Sequence, residues 1–336
     1  MKKYNVVILG ATGAVGIEFR KILIERKFPI NNIRFLGSSS VGKAIDFGNR
    51  KVEVEPVKDD SFKGFDIGLF SAGATISKQI ARNAADSGCV VVDNSSAWRM
   101  EPDVPLVVPE VNPDDIKWHK GIIANPNCST IQMVLPLKPI HDAVKIKRVV
   151  VSTYQAVSGT GVKAIDELTK QTKDILEGKE PRKSVYPHQI AFNALPFIDV
   201  FMPNGYTKEE MKMVDETKKI LGDDSIKITA TTVRVPVYYC HSESVNIETE
   251  RRLEPEYAKE LLSNTKGISI IDDPAHDHYP LAVDAAGKDD VYVGRIRRDD
   301  SIPNGINMWI VSDNIRKGAA LNTIQIAELM IEKGII

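Results

Sequence analysis

One cysteine stands where a thiol could react. Cys128 lies in IIANPNCSTIQMVLPL, residues 122–137, after a turn bounded by proline and before a segment with a helical pattern. Unpaired N–H groups and the helix dipole at a helix N-terminus stabilise a thiolate, which is the nucleophilic form of cysteine. Cys128 is therefore a candidate nucleophile. The same stretch also fits a small buried side chain, which is what most free cysteines are.

A histidine and a glutamine could complete such a site. His241 lies in the segment YYCHSESV, and imidazole is the commonest acid–base group because its pKa lies near neutrality. Gln155 ends an apolar run before a turn that contains Gly159 and Gly161, where an amide could orient a carbonyl. Taken singly, a strand histidine more often has a structural role, and a glutamine there more often belongs to the turn.

The other two cysteines are weaker candidates. Cys240 is a rival nucleophile, but strand alternation would point it away from His241, so Cys128 is the better partner. Cys89, in GCVVVDN, has the pattern of a core residue. Three cysteines are too few for a disulfide framework and have no metal-ligand spacing, so a reducing cytoplasm is expected and no metal is predicted.

Two arginines could bind anionic groups. Arg234 precedes His241 by seven positions, which on one unbroken strand would place the two side chains on opposite faces. Pro236 lies between them, and a bulge there could bring both to one side. Arg99 follows VVVDNSSAW, in the loop after a strand of a predicted parallel sheet, where such folds bind their ligands. Each arginine alone is more often a surface charge.

A glycine-rich loop stands near the N-terminus. In VVILGATGAVG, residues 6–16, Gly10, Gly13 and Gly16 follow a predicted strand and open a helix. Glycines there allow a tight turn and let backbone N–H groups approach a pyrophosphate. The spacing is G-x-x-G-x-x-G rather than G-x-G-x-x-G, so the motif gains weight chiefly from its position. It predicts dinucleotide binding, with a plain cluster of turn glycines as the alternative.

The second strand favours one form of the cofactor. It ends in FLGSSSVGK, residues 35–43, without the carboxylate that would hold a ribose 2′-hydroxyl, and with Lys43 nearby. This pattern favours NADP. The alternative is that Ser38 to Ser40 form only a solvated loop.

The order of elements predicts two domains. Short β-branched runs, including NVVILG, IRFLGS, DIGLFSAG, VVVDNS, PLVVPEV and GIIANPN, alternate with helical patterns up to Cys128. This alternation predicts an α/β fold with a Rossmann-like parallel sheet. Later segments, such as IKRVVVSTYQAVSG and IKITATTVRVPVYYCHSESVNIETE, predict longer strands in an antiparallel-rich α+β domain. The C-terminal segment has a helical period and is expected to pack back onto the first domain.

Composition limits the function classes. The chain has 336 residues, 44 basic and 45 acidic side chains, and a formal net charge of −1. That balance gives no indication of a nucleic-acid partner. No run approaches the roughly 20 apolar residues that a membrane span needs, and the N-terminus lacks a cleavable signal pattern.

With these residues identified, the chain resembles the aspartate-semialdehyde dehydrogenase family over nearly its whole length. The segments that carry the resemblance include GATGAVG, VVDNSSAWRM, NPNCSTIQM, STYQAVSGTG, VRVPVYYCHSESV and VSDNIRKGAALNTIQIAE. The resemblance implies reversible reductive dephosphorylation of L-aspartyl-4-phosphate by NADPH, which yields L-aspartate-4-semialdehyde, phosphate and NADP. The reaction lies on the route to lysine, methionine, threonine and isoleucine.

The resemblance also implies a role for each matching residue. The nucleophile would be Cys128, the orienting amide Gln155 and the acid–base group His241. The substrate and phosphate ligands would be Arg99, Asn127, Glu216, Lys219 and Arg234. Glu216 and Lys219 are three residues apart on a predicted helix and would share a face. The cofactor ligands would be Gly10, Thr12, Gly13, Ala14, Val15, Ser39, Ser40, Ser158, Gly159 and Asn314.

The family also implies a domain division and an assembly. Residues 1–127 and 314–336 would form the dinucleotide domain, and residues 128–313 the inserted substrate and dimerisation domain. The partners would be the small substrate, inorganic phosphate and a second copy of the chain in a homodimer; a dimer of dimers stays open. Several relatives have arginine where this chain has Ser39, which leaves dual use of NADP and NAD open, and Asn125 stands where some relatives have a second cysteine.

Three alternatives remain at this stage. The first is a reductase of another acyl phosphate, such as N-acetylglutamyl phosphate, against which the pair of Glu216 and Arg234 argues. The second is a catalytically silent cofactor-binding relative, which the joint presence of Cys128, Gln155 and His241 disfavours. The third is a Cys-His hydrolase, which the glycine-rich loop disfavours.

Overall fold

The computed structural model describes residues 2–38 and 40–336. The chain folds into two compact units. The first ends at Asn127 and resumes at Ala319, and the second comprises Cys128–Gly318.

Thirteen strands and eight α-helices are present in the described residues. The strands are β1 (Tyr4–Leu9), β2 (Ile30–Gly37), β3 (Ala44–Phe47), β4 (Arg50–Pro56), β5 (Ile67–Phe70), β6 (Val90–Asp93), β7 (Ile122–Ala124), β8 (Ile146–Gln155), β9 (Lys227–Arg234), β10 (His241–Thr249), β11 (Ile268–Ile270), β12 (Val291–Asp299) and β13 (Gly305–Ser312). The helices are α1 (Ala14–Glu25), α2 (Ala74–Asp86), α3 (Cys128–Val144), α4 (Val162–Leu176), α5 (Lys208–Leu221), α6 (Pro255–Ser263), α7 (Ala282–Ala285) and α8 (Leu321–Glu332).

The first unit contains a seven-stranded sheet. Its strand order is β3-β4-β2-β1-β5-β6-β7, and every pair is parallel except the β3–β4 hairpin. The central strands β1 and β5 are buried along nearly their whole length, as expected of parallel strands covered on both faces. The polypeptide therefore enters α1 directly from the carboxyl end of a central strand, which is where such sheets bind ligands.

The C-terminal helix completes this unit. Leu321, Ile324 and Ala327 of α8 are buried in the same hydrophobic core as Phe19 of α1 and Val92 of β6. The expectation that the C-terminal helix returns to the first domain is confirmed. The burial of an apolar helix face on a sheet contributes about 25 cal/mol per Å² of apolar surface, which ties the end of the chain to the sheet.

The second unit contains a six-stranded mixed sheet. Its strand order is β11-β12-β13-β10-β8-β9, with parallel pairing of β8 to β9 and of β11 to β12 and antiparallel pairing elsewhere. Helix α3 contacts β8, β10, β12 and β13. Residues 241, 243, 245 and 247 of β10 are buried, whereas residue 244 is exposed. One face of this sheet therefore packs under α3.

Three sequence-based expectations for local structure were wrong or incomplete. Residues 227–249 form two strands rather than one, because the chain leaves the sheet between Arg234 and His241. The run PLVVPEV is not a strand and contributes only an isolated bridge from Leu106 to Ala124. The hairpin of β3 and β4 was not anticipated, because its residues are mostly exposed and its strands carry few apolar positions.

The expected α/β class with a Rossmann-like parallel-sheet unit and an inserted α+β unit is confirmed, and the sheet of the second unit is mixed. The functional division at residues 127 and 314 stays a prediction; Asn314 lies in the second compact unit. In residues 2–38 and 40–336, no helix is long and apolar enough to cross a bilayer. The same residues contain no cluster of three histidine, cysteine or acidic side chains suited to a metal ion.

Candidate active site

The strand register of the second unit brings Arg234, Gln155 and His241 together. Arg234 pairs with Gln155 across the parallel β8 and β9 strands. On the other side of β8, Ser242 pairs with Tyr154, so His241 lies beside the Gln155 end of that strand. Arg234 and His241 thus belong to different strands on either side of β8. No bulge is needed to place them on one face, and the question that the sequence left open is answered by topology.

The backbone of Ala156 holds two of these side chains. Its N–H donates to His241 Nδ1 at 3.0 Å, and its carbonyl oxygen accepts from Arg234 Nη1 at 2.7 Å. Both contacts are buried, where a hydrogen bond is strong and its loss is costly. Because Nδ1 accepts a hydrogen bond, the imidazole carries its proton on Nε2.

His241 is kept neutral by its surroundings. Its side chain is fully buried, and burial, together with the nearby Arg234 guanidinium, lowers the pKa of the imidazole to about 3. The charge of Glu209 opposes this shift only in part. Nε2 has no hydrogen-bond partner among the residues that the structure describes. The ring therefore presents a proton at Nε2 and can act as a donor to developing negative charge.

Gly159 allows these groups to approach. A Cβ placed on it would stand 3.1 Å from Arg234 Nη1 and 3.3 Å from His241 Nε2. A side chain at this position would compete with the guanidinium and the imidazole for the same space. Gly159 therefore lines the space into which both groups point.

Cys128 is the first residue of α3. This is the position that the sequence argument required, because N–H groups of the first helical turn and the helix dipole stabilise a thiolate there. The thiol is partly exposed, whereas Cys89 and Cys240 are buried. Burial raises the pKa of Cys89 to about 12 and raises that of Cys240 further, so both are poor nucleophiles.

The position of Cys128 depends on a glycine. A Cβ on Gly318 would lie 2.8 Å from the Cβ of Cys128 and 3.3 Å from its Cα. Gly318 belongs to a π-helical turn, Arg316–Ala320, and such turns are frequent at functional sites. A hydrogen atom is the only side chain that this contact admits without movement.

Helix α5 supplies acidic and basic groups. Its start is fixed by a capping box between Thr207 and Glu210. Glu209, in the first turn, is buried; its Oε1 accepts from Gln155 Nε2 at 3.4 Å and its Oε2 from Lys212 Nζ at 2.9 Å. Gln155 Nε2 also donates to Thr153 Oγ1 at 3.2 Å, so two contacts orient its amide.

Glu216 and Lys219 both lie on α5, as expected. Glu216 is only 1% exposed, which for a carboxylate is unusual outside a functional or paired setting. Lys219 is partly exposed. The spacing of three residues puts the two side chains on one face of the helix.

Asn314 and Ser158 form a second buried contact set. The Asn314 amide donates to Ser158 Oγ at 3.0 Å, and its Oδ1 accepts from the backbone N–H of Cys240 at 3.0 Å. Cys240 has a φ of +71°, a left-handed conformation that is unusual for a residue with a side chain. The sequence-based alternation of Cys240 and His241 along one strand was wrong, because Cys240 lies before the start of β10.

The backbone of the glycine-rich loop in the first unit makes close contacts that leave no room for side chains. Gly10 has a φ of +89°, and a Cβ there would lie 2.3 Å from the carbonyl oxygen of Ser71. A Cβ on Gly16 would lie 2.1 Å from the carbonyl oxygen of Gly10. Gly13 caps α1 without a side-chain hydrogen bond, and the first turn, which begins with Ala14 and Val15, holds no acidic residue. The first-turn N–H groups are therefore not occupied by a side-chain cap.

The loop after β2 lies beside this turn. Thr12 Oγ1 and Ser40 Oγ are 3.0 Å apart, and Ser40 is buried. Ser39, the residue expected to approach a 2′-phosphate, lies outside the described residues. Lys43 is exposed. Strand β2 ends at Gly37, and none of its described residues carries a carboxylate.

Arg99 is held in the first unit by main-chain carbonyl groups. Its Nε donates to the Asn125 carbonyl at 3.0 Å and its Nη2 to the Asn94 carbonyl at 2.8 Å. Asn125 is itself fixed, because Asn322 Nδ2 donates to its Oδ1 at 2.8 Å. The buried Asn127 follows in the same unit, immediately before Cys128 in the chain. Asn125 thus has a structural role in positioning Arg99.

Three residues of this site were not anticipated from the sequence. Ala156 acts through its backbone and leaves no signal in side-chain chemistry. Gly318 acts through the absence of a side chain, and only its contact with Cys128 gives it meaning. Glu209 could have been found, since it precedes Glu216 by seven residues and so lies near the same helix face.

Comparison with known proteins gives two family matches. A model described as semialdehyde dehydrogenase, NAD binding domain, matches residues 5–119, and one described as semialdehyde dehydrogenase, dimerisation domain, matches residues 137–317. The aspartate-semialdehyde dehydrogenase of Aquifex aeolicus is 58% identical over 99% of both chains.

Two solved structures extend the comparison. The structure of aspartate semialdehyde dehydrogenase II from Vibrio cholerae complexed with ASA has a TM-score of 0.96 and 49% identity, over 99% of both chains. The structure of the enzyme with NADP from Candida albicans has a TM-score of 0.77 and 26% identity, over the full length of both chains.

The neutrality of His241 is directly testable. Because the folded protein lowers the pKa of this imidazole, the contribution of His241 to the unfolding free energy is fully present above about pH 6.5. It is lost as the pH falls towards about 3. Nitrogen NMR, assigned with His241→Gln, should show an unprotonated Nδ1 and a protonated Nε2 from pH 8 down to pH 5. The wild type should lose about 1.4 kcal/mol of unfolding free energy per pH unit relative to His241→Gln over this acid range. A His241 titration centred near pH 6.5 would contradict the assignment.

The contact between Gly318 and Cys128 gives a second prediction. Gly318→Ala should displace the thiol-bearing Cβ and lower the rate of Cys128 alkylation and catalytic turnover by roughly 100-fold, because small misplacements of reacting groups are costly. Thermal unfolding of Gly318→Ala, Cys128→Gly and the double variant supplies the control. Removal of the Cys128 Cβ should recover stability lost in Gly318→Ala, and simple additivity of the two changes would show that the contact is not responsible.

Proposed function

The chain belongs to the aspartate-semialdehyde dehydrogenase family, and from this premise we propose that it catalyses the NADPH-dependent reductive dephosphorylation of L-aspartyl-4-phosphate to L-aspartate-4-semialdehyde. The observation that carries the proposal is the site of the second unit: Cys128 at a helix start, and His241 and Arg234 held by Ala156. The reaction belongs to the route to lysine, methionine, threonine and isoleucine.

The first unit fits a nicotinamide dinucleotide. The turn from Gly10 to Gly16 excludes side chains from the backbone of the loop, and the start of α1 has no side-chain cap. We propose Gly10, Thr12, Gly13, Ala14, Val15, Ser39, Ser40, Ser158, Gly159 and Asn314 as cofactor ligands. The absence of a carboxylate at the end of β2 supports NADP over NAD. When bound, the nicotinamide supplies the hydride in the forward direction and accepts it in reverse.

The nucleophile makes the chemistry possible. The Cys128 sulfur attacks the acyl carbon, the bond to the phosphate oxygen breaks, and inorganic phosphate leaves with the bonding electrons. A thioester accepts hydride far more readily than a carboxylate, so the covalent intermediate is the reducible species. Addition of hydride to the thioester carbon gives a tetrahedral oxyanion, and its collapse expels the Cys128 thiolate and releases the aldehyde.

His241 and Gln155 act on the reacting carbonyl. The neutral His241 ring offers its Nε2 proton to the oxyanion, since its Nδ1 is occupied by the Ala156 N–H. The Gln155 amide, fixed by Glu209 and Thr153, orients the carbonyl group. An oxyanion donor of this kind is typically worth about 3 kcal/mol of transition-state stabilisation.

Charged residues are proposed to bind the charged groups of the substrate. Arg234 has a planar guanidinium that can bind a carboxylate with two parallel hydrogen bonds, which lysine cannot do. Glu216 is proposed to bind the α-amine, and its burial in the same unit supports a specific ionic partner. Arg99, Asn127 and Lys219 are proposed to bind the phosphate.

The second copy of the chain is proposed to bind through the second unit. Large apolar side chains are exposed there, among them Phe201 at 65%, Phe192 at 64% and Val200 at 57%. Such side chains are favoured in obligate interfaces. The three free cysteines support a reducing cytoplasm as the location.

The assembly is testable by sedimentation. The full chain should sediment as a dimer of 37.2 kDa subunits at micromolar concentration. Phe201→Asp should shift the mass towards that of the monomer, because the variant would bury a charge in an apolar interface. Leu176→Asp changes a similarly exposed side chain at the end of α4 and is the control: it should leave the dimer intact. A purely monomeric wild type would contradict the proposal.

The reaction is testable in the reverse direction. Purified protein with aspartate semialdehyde, inorganic phosphate and NADP should generate reduced cofactor, and omission of phosphate should abolish the signal. Cys128→Ala should lose at least about 1000-fold of this activity. Cys89→Ala, which removes a buried and unreactive thiol, is the matched control and should retain activity.

Two further arms separate the alternatives. NAD in place of NADP should give a lower kcat/KM, and the ratio measures cofactor preference. N-acetylglutamate semialdehyde should not replace aspartate semialdehyde; faster reaction with it would favour the other acyl-phosphate reductase. Failure of folded protein to reduce either cofactor would refute the dehydrogenase assignment.

A further inference from the structure

A buried acid lies next to the site and has no part in the mechanism above. Glu243, two residues after His241 on β10, has no exposed surface. Neither oxygen of its carboxyl group has a hydrogen-bond partner among the residues that the structure describes. An ionised carboxylate in such a position would be very costly, since buried charges in proteins are almost always paired.

Among the residues that the structure describes, none contributes a positive charge to the electrostatics of Glu243. On the sheet it pairs with Thr153 of β8 and Ile310 of β13, neither of which titrates. On its own strand, the buried face also carries His241, which is neutral. From α3, which packs on this face, the side chain of Gln132 interacts with Glu243, and Cys128 precedes Gln132 by one turn.

The side chain of Gln132 also has a buried oxygen without a hydrogen-bond partner among the described residues. This oxygen is Oε1, and the whole side chain is fully buried. Its Nε2 donates to the backbone carbonyl of His241 at 3.4 Å, a long contact that leaves the second amide proton available. The amide therefore lacks a donor for its oxygen and can still supply one N–H.

Only one protonation state of Glu243 satisfies both groups. A carboxylate has no proton to give, so Gln132 Oε1 would face negative charge. A neutral carboxyl group can donate its O–H to Gln132 Oε1 and accept an amide N–H on its other oxygen. A buried polar pair is stabilising only when each member is satisfied, so the neutral acid is the consistent state.

We propose that Glu243 is a protonated positioning residue, paired as a neutral acid with Gln132, which ties the first turns of the Cys128 helix to the His241 strand. Gln132 is the link, because its amide contacts the backbone of His241 and its helix begins at Cys128. Glu243 need not touch substrate. It acts through the relative placement of the nucleophile and the acid–base group.

The electrostatic setting agrees with this geometry. Burial raises the pKa of Glu243 well above its ordinary value, and the Gln132 side chain opposes that shift more weakly. Among the described residues no neighbouring charge contributes to the shift. The folded protein therefore binds a proton that the unfolded chain releases above about pH 4.5.

The first test measures stability against pH. Because the pKa is raised in the folded state, wild-type stability should fall as the pH rises from about 4.5 towards the folded pKa. Glu243→Gln keeps a neutral group that can pair with Gln132 and has no proton to lose. The unfolding equilibrium constant of the wild type should therefore rise relative to that of Glu243→Gln by about tenfold per pH unit over this range.

Two outcomes of this test would overturn the proposal. Parallel curves would show that Glu243 titrates alike in the folded and unfolded states. A wild type that gains stability relative to Glu243→Gln as the pH rises would show an ionised, stabilising carboxylate. An infrared band of a protonated carboxyl group at pH 7.5, absent from Glu243→Gln, should accompany the expected result.

The second test measures positioning. Glu243→Leu removes the pairing, and should lower kcat and the rate of Cys128 alkylation by about tenfold or more, with little change in KM. Glu243→Gln should restore both. Gln132→Leu should reproduce the loss, and the double variant Gln132→Leu with Glu243→Leu should cost no more than either change alone. Equal losses in Glu243→Leu and Glu243→Gln would exclude the neutral pair.

Only the measurements of kcat and KM rest on the proposed function. If the protein used another substrate, turnover would be absent in the wild type, whereas the pH dependence of stability and the alkylation of Cys128 would still decide the inference. Retention of native circular dichroism by Glu243→Leu and Gln132→Leu is checked first, and Glu243→Gln keeps the test decisive if both leucine variants unfold.

Discussion

The two backbone groups of one residue, Ala156, organise the site of the second unit. Its N–H fixes the tautomer of His241 and its carbonyl fixes the guanidinium of Arg234. Backbone geometry is far less adjustable than a side chain, because the peptide unit is planar and the sheet holds its neighbours. The positions of the His241 and Arg234 side chains therefore both depend on the end of a single strand, β8. Strand β8 lies between β9, which carries Arg234, and β10, which carries His241. The pairing of these three strands therefore determines the geometry of the site more than any single side chain does.

A second constraint is steric. Cys128 stands at the first position of α3, and the backbone of Gly318 comes close to its Cβ. The dinucleotide loop of the first unit uses the same device, with Gly16 against the carbonyl of Gly10. In both places a missing side chain allows one backbone to approach another, and the reactive or binding group is placed by that approach. Glycine is needed for contact in these cases, and for its backbone conformation as well only at Gly10.

The sequence predicted the elements that depend on local pattern. The strand, glycine turn and helix at residues 4–25, the helix that begins at Cys128 and the strand that ends at Gln155 follow from periodicity and turn residues, and each is present. It did not predict the break between Arg234 and His241, because that break depends on the separate pairing of two β-branched runs with β8. Nor could it identify Ala156 or Gly318, whose effects arise from contacts between residues distant in the chain. Site roles were assigned through family resemblance rather than through spacing, and local chemistry alone left each of them open.

The buried face of β10 illustrates why burial in this site favours neutral groups. His241 and Glu243 stand two residues apart, and burial moves their pKa values in opposite directions, down for the imidazole and up for the carboxyl group. Each shift favours the uncharged form of the group. In the proposed reaction, the positive charge of Arg234 on β9 is then not neutralised by Glu243 of the nearby strand β10. The negative charge that develops at the reacting carbonyl meets the N–H dipole of the neutral His241 ring. Preorganised dipoles in a dry site stabilise such charge without the cost of reorienting solvent. In this proposal, the stability given up to keep His241 and Glu243 neutral is linked to the chemistry of the site.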